Sequence, residues 1–105
     1  MKVYIAGPMT GHEDMNRAAF YKAADALEAA GYEVVNPAAL DDASGPLATW
    51  EAYLKRDIPY LLTCDGVALL PGWWTSKGAR LEHHNAVSLG MKVQVLGDWL
   101  REVAK

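Results

Sequence analysis

Apolar positions along this chain repeat with two periods. Short runs of apolar or β-branched residues at "KVYIA" (2–6), "YEVV" (32–35), "GVALL" (66–70) and "KVQVL" (92–96) read as strands. Between the first two, "DMNRAAFYKAADALEAAG" carries Phe20, Ala23, Ala24, Leu27 and Ala30 at helical spacing, with Gly31 as its stop. "LATWEAYLKRDIPYLLT" (47–63) repeats the pattern with Leu47, Trp50, Leu54, Ile58 and Leu61, and Pro59 is expected to kink it. A third helix is expected from about Ser76 to Leu89, ending at Gly90, and "DWLREVAK" as a short terminal one. "AALDDASGP", after Asn36 and Pro37, reads as an exposed loop.

Strands alternating with helices, the strands apolar throughout, predict a parallel sheet covered on both faces by right-handed crossovers. The expected fold is α/β: a small doubly wound parallel sheet of Rossmann-like or flavodoxin-like type, one domain over residues 1–105. Such sheets bind ligands beyond the carboxyl ends of the strands, where strand order reverses. The loops after the first and third strands, "GPMTG" and "PGWWTSKG", are the places to seek chemistry.

Two carboxylates sit on faces that the pattern marks as buried. With Ala79 at zero on a helical wheel, Ala86, Leu89, Gly90 and Val87 form an arc toward the sheet, and Glu82 falls between Leu89 and Ala86. His83 lies on the other side of that arc, and His84 points to solvent. In the second helix Asp57 falls between Trp50 and Tyr53. A buried carboxylate costs free energy unless it is paired or used. Glu82 could pair with Lys77 or Arg80 or lie on a wet rim; Asp57 could bond Tyr4 or a loop amide. Two such acids on helices flanking one strand can instead share a crevice, the equipment for cleaving a glycosidic bond. The helix N-terminus would help keep Glu82 ionised, as a nucleophile requires.

Composition narrows the classes. Of 105 residues, 51% are hydrophobic and 22% charged, too apolar for a disordered chain. A formal charge of −3 without a basic stripe argues against duplex nucleic acid as partner. No run approaches the ~20 apolar residues of a membrane span, and "MKVYIAGPMTG" lacks the form of a signal peptide. The single cysteine, Cys64, fits a reducing, cytoplasmic setting and reads as a small buried residue. "GPMTG" lacks the lysine of a Walker loop and the glycines of a dinucleotide fold, and His83 and His84 share no helix face, so neither cofactor nor metal is expected. Trp73 and Trp74 could stack on a nucleobase, or pack at the sheet edge and a subunit interface.

"YIAGPMTG", Asp57, "CDGVALLPGW" and "SKGARLEHHNA" together resemble the nucleoside 2-deoxyribosyltransferase superfamily, with its 2'-deoxynucleoside 5'-monophosphate N-hydrolase branch, over nearly the whole chain. The similarity extends in particular to a small phage and bacterial domain family of unassigned function in that superfamily. The resemblance implies Glu82 as the nucleophile on the anomeric carbon, Asp57 as the acid that helps the base leave and holds a sugar hydroxyl, and Tyr4 as the residue orienting the nucleophile. It implies a ligand-binding first loop (Gly7, Pro8, Met9, Thr10, Gly11), with Ser76 and Gly78 at the phosphate position; Trp73 is a further candidate ligand contact, from its aromatic face alone. Thr10 stands where the hydrolase branch has an arginine; Lys77, Arg80 or His83 could compensate. The family's longer loop after the fourth strand is absent, since "GDW" follows "VQVL".

The expected function is cleavage of a nucleoside or nucleotide N-glycosidic bond, by hydrolysis or deoxyribosyl transfer, in a homodimer or larger homo-oligomer. The alternative is a non-catalytic nucleotide-binding module, a sensor or accessory protein.

Overall fold

The computed structural model describes residues 1–103. Four strands, β1 (Lys2–Ala6), β2 (Glu33–Val35), β3 (Gly66–Leu69) and β4 (Lys92–Val95), form one sheet in the order β2-β1-β3-β4, with every pair parallel. The fold is the expected doubly wound α/β sandwich. Both sheet faces are covered, which is why β1 and β3 are apolar at successive positions rather than at alternate ones. Val3 and Ile5 face α1 (Arg17–Ala29) and α5 (Leu96–Val103), while Tyr4 and Ala6 face α3 (Trp50–Leu62) and α4 (Lys77–Ser88).

Helix α1 buries Phe20, Ala23, Ala24 and Leu27, and leaves Ala30 half-buried just past its end; Gly31, at φ +98°, stops it. Its expected start at Asp14 is replaced by a 3-10 turn, Glu13–Asn16, with Asp14, Met15 and Asn16 all in left-handed conformation. The Asn16 side-chain amide donates to the Pro8 carbonyl at 2.9 Å and ties this turn to the loop after β1.

The stretch expected as an exposed loop is a helix instead, α2 (Pro37–Ser44). Asn36 caps it, its side chain accepting the Ala38 N–H at 3.0 Å, and Pro37 occupies the first turn, where a missing N–H does no harm. Thr49 caps α3 by accepting the Ala52 N–H at 3.1 Å. Pro59 lies within α3, which runs on to Leu62. In α4 the buried positions are Ala79, Glu82 and Ala86; Val87 and Leu89, placed toward the sheet by the wheel, are more than half exposed. The last helix begins at Leu96, earlier than "DWLREVAK" suggests, and Ala104 and Lys105 lie outside the described residues. Its Trp99 is fully buried and donates its indole N–H to the Val67 carbonyl at 2.9 Å.

The order of strands reverses between β1 and β3. The loops that leave their carboxyl ends diverge there, and a crevice opens between them.

Candidate functional site

Glu82 is placed by α4, whose start is fixed by Ser76: its hydroxyl accepts the Ala79 N–H at 3.2 Å. Ala79 and Ala86 flank Glu82 on the buried side, and their small side chains bring the helix close to β1 and β3. Glu82 therefore meets the sheet over Tyr4, the central residue of β1, and the Tyr4 hydroxyl donates to its Oε2. Neither Lys77 nor Arg80 pairs with it. Only 6% of Glu82 is exposed, and burial lifts its pKa to about 8; the charge of Asp57 adds to the rise and the Tyr4 hydrogen bond opposes it. The expectation that the helix N-terminus keeps Glu82 ionised is thus corrected. The macrodipole acts within the first turn, and desolvation outweighs it at this depth. Tyr4 itself is held well above the usual phenol range, by burial first and then by Glu82, so it serves as a neutral donor.

Asp57, on the buried side of α3, is bound by neither Tyr4 nor a loop amide. Its partner is the adjacent Arg56, whose Nε and Nη2 both lie 2.8 Å from Oδ1. The same guanidinium reaches the Asp41 carboxylate and, through Nη1, the Ser44 hydroxyl at 3.0 Å, both on α2. It also lies over the Tyr53 ring, 5.4 Å from the centroid. Burial raises the pKa of Asp57 and Arg56 opposes the rise, through its hydrogen bond and its charge.

Both acids line a cavity of about 580 Å³ at the crevice. Gly7, Pro8, Met9 and Thr10 form one wall, Ser76 and Gly78 another, and Leu47, Trp50 and Tyr53 a third. Lys77 stands at the cavity with its ammonium 4.0 Å from the centre of the Trp50 ring. Tyr4 lies behind Glu82 rather than in the lining. Gly7 is packed so that an added Cβ would come within 2.8 Å of Leu70, a reason for glycine at the bend into the first loop.

Gly11 and Trp73 fall outside the lining. Gly11 sits exposed in a turn at φ +84°. Trp73 is stacked on His83, 4.4 Å between centroids, and edge-on to Trp74, which is 60% exposed. No group of three His, Cys, Asp or Glu among the described residues is arranged to hold a metal ion. No helix among them is long and apolar enough to cross a membrane.

Sequence reasoning missed Asp41, Arg56 and the aromatic wall of Trp50 and Tyr53. The signal for Asp41 was available: Asn-Pro ahead of "AALDDAS" is a helix start, and a helix there carries its acids toward α3. Trp50 and Tyr53 keep helical spacing with the core residues, and spacing does not separate core from cavity wall.

The arrangement can present a carboxyl group, oriented by a neutral donor, and a second acid to a ligand in one cavity. Among known families, residues 1–95 match the model of a domain of unknown function, DUF4406. No curated protein matches the chain.

Proposed function

The chain belongs to the DUF4406 family, and for this member we propose cleavage of the N-glycosidic bond of a nucleoside or nucleotide, with Glu82 as nucleophile. One observation carries the reading: the buried Glu82 carboxyl meets the Tyr4 hydroxyl and shares its cavity with a second acid, Asp57. Its resemblance to the nucleoside 2-deoxyribosyltransferase superfamily supports the same chemistry.

In this mechanism a Glu82 oxygen forms a bond to the anomeric carbon as the carbon–nitrogen bond breaks, its electron pair leaving on the base. Asp57 gives that nitrogen a proton. Water, or a second base in a transferase, then displaces Glu82 from the sugar. Tyr4 holds Glu82 in line, and the Trp50 and Tyr53 wall offers apolar faces to a base or sugar ring. Thr10 in the first loop leaves Lys77 and the α4 N-terminus, with Ser76 and Gly78, as the groups suited to a 5'-phosphate. The reading carries with it a cytoplasmic setting and assembly into a homodimer or larger homo-oligomer, for which exposed Trp74, Leu62, Val87 and Leu89 supply apolar surface.

The test is chromatography of free bases released from 2'-deoxynucleosides, their 5'-monophosphates and NAD, with wild type beside Glu82→Ala. Release by wild type alone supports the reading and names the substrate; release by both removes Glu82 from the mechanism. A second reading, a non-catalytic nucleotide-binding sensor or accessory module, draws on the raised pKa of Glu82, which leaves the carboxyl protonated and unreactive at neutral pH. Its signature is a nucleotide that raises the melting temperature with no base released.

A further inference from the structure

Among the described residues, Arg56 is the one cation bonded to Asp41 and Asp57 at the cavity, and its contacts are uneven. Two of its nitrogens converge on the same oxygen of Asp57, Oδ1, at 2.8 Å each. Nη2 also meets Asp41 Oδ1, and Nη1 holds the Ser44 hydroxyl at 3.0 Å. The Arg56, Asp41 and Asp57 side chains are only 17%, 15% and 9% exposed. Beneath the guanidinium lies the Tyr53 ring, whose hydroxyl accepts the Leu47 N–H at 2.9 Å and so fixes the loop that completes the cavity wall.

A buried network of this kind is a poor source of stability, because desolvating the charges cancels most of their attraction and apolar residues would serve as well. What the network does supply is geometry. A guanidinium is planar and rigid, and its fork fixes the partners' directions where a lysine ammonium would not.

We propose that Arg56 is a positioning residue: anchored to Asp41 and Ser44 of α2, it grips Oδ1 of Asp57 and leaves Oδ2 as the oxygen that serves the cavity. The inference rests on the proposed reaction for its purpose, since Oδ2 is then the oxygen that carries the proton to the departing base. It also gives α2, which lines the cavity with Pro37 and Asp41, a second part in the site: through Arg56 it holds the acid that serves the reaction. The charged and titratable groups bearing on Asp57 are Arg56, Asp41, Glu82 and Tyr4.

Two readouts separate grip from charge. In the free protein, carboxyl-carbon NMR follows the titration of Asp57; in turnover, kcat and KM are measured across bases of different leaving ability. Arg56→Ala is expected to move the Asp57 midpoint upward and to lower kcat on the order of 10²-fold for poor leaving groups, with KM little changed. Arg56→Lys keeps the charge without the fork: the midpoint stays near that of wild type while kcat falls as in the alanine variant. Arg56→Gln keeps most of the stem over Tyr53 and gives the alanine result if the alanine variant does not fold. A lysine variant with wild-type kcat overturns positioning and leaves charge alone. An unchanged Asp57 midpoint in Arg56→Ala overturns the grip whether or not any base is released, so the grip and the Glu82 chemistry fail separately.

Discussion

At the scale of single residues, the chemistry turns on where one proton sits. Arg56 opposes the rise that burial gives the Asp57 pKa, whereas Glu82 has the neutral Tyr4 as its donor and a pKa of about 8, so at neutral pH Glu82 holds a proton. The reaction needs that proton on Asp57. The reactive form is then a minority arrangement of a singly protonated pair, and kcat/KM should be a bell in pH with its alkaline limb near 8. A rate that climbs through pH 8 would show that Asp57 gives no proton. Tyr4→Phe removes the donor that lowers the Glu82 pKa, so the alkaline limb should move upward while activity falls. Stability reports the same group. The folded-state pKa of Glu82, about 8, lies above its ordinary 4.5, so the folded protein binds the extra proton between those values. That contribution is whole below pH 4.5 and is lost as pH rises through 8. Glu82→Gln has no such loss: between pH 5 and 9 its unfolding free energy should gain on wild type, by about 1.4 kcal/mol per unit of displaced pKa. Parallel curves for the two proteins would place the titration elsewhere.

Among the elements, α2 shows what the hydrophobic pattern could and could not reveal. Its apolar residues are few and its middle reads "LDDAS", so amphipathic periodicity gives no signal and only the cap does. Asn36→Ala should cost about 1 kcal/mol in denaturant unfolding. Because α2 carries Asp41 and Ser44, it should also lower activity, which a cap serving stability alone would not do once the protein is folded. Helix α4 gives the opposite lesson. Its Glu82 stood out because two alanines, Ala79 and Ala86, marked the buried face around it, and that part of the site was legible. Val87 and Leu89 misled the same reasoning, since a helix against a narrow four-stranded sheet buries a thinner stripe than the wheel allots. Asp57 was legible as an acid on the flank of an apolar stripe, but its partner was not. Arg56 is its neighbour in sequence, and residues one apart do not face each other on a helix unless a long side chain folds back.

For the molecule as a whole, the parallel sheet followed from strands apolar at successive positions, and the crevice followed from the reversal of strand order. The closure of the sandwich did not. Trp99 fills the space under β3 so tightly that a Cβ on Gly66 would lie 2.5 Å from its ring and 2.7 Å from the Lys92 carbonyl. Such a match between a strand glycine and a terminal-helix tryptophan leaves no periodic trace. Gly66→Ala should destabilise the fold by about 1 to 3 kcal/mol, read by thermal or denaturant unfolding. Assembly is tested by sedimentation at working concentration, where a dimer or larger species is expected and a monomer would remove the subunit interface from the account. The claim on which the rest depends is that Glu82 bonds to the sugar. Acid-quenched turnover followed by peptide mass mapping tests it directly: a sugar-sized mass gain on the peptide containing Glu82, absent from Glu82→Gln, is the predicted result. Base release with that peptide never modified would contradict it.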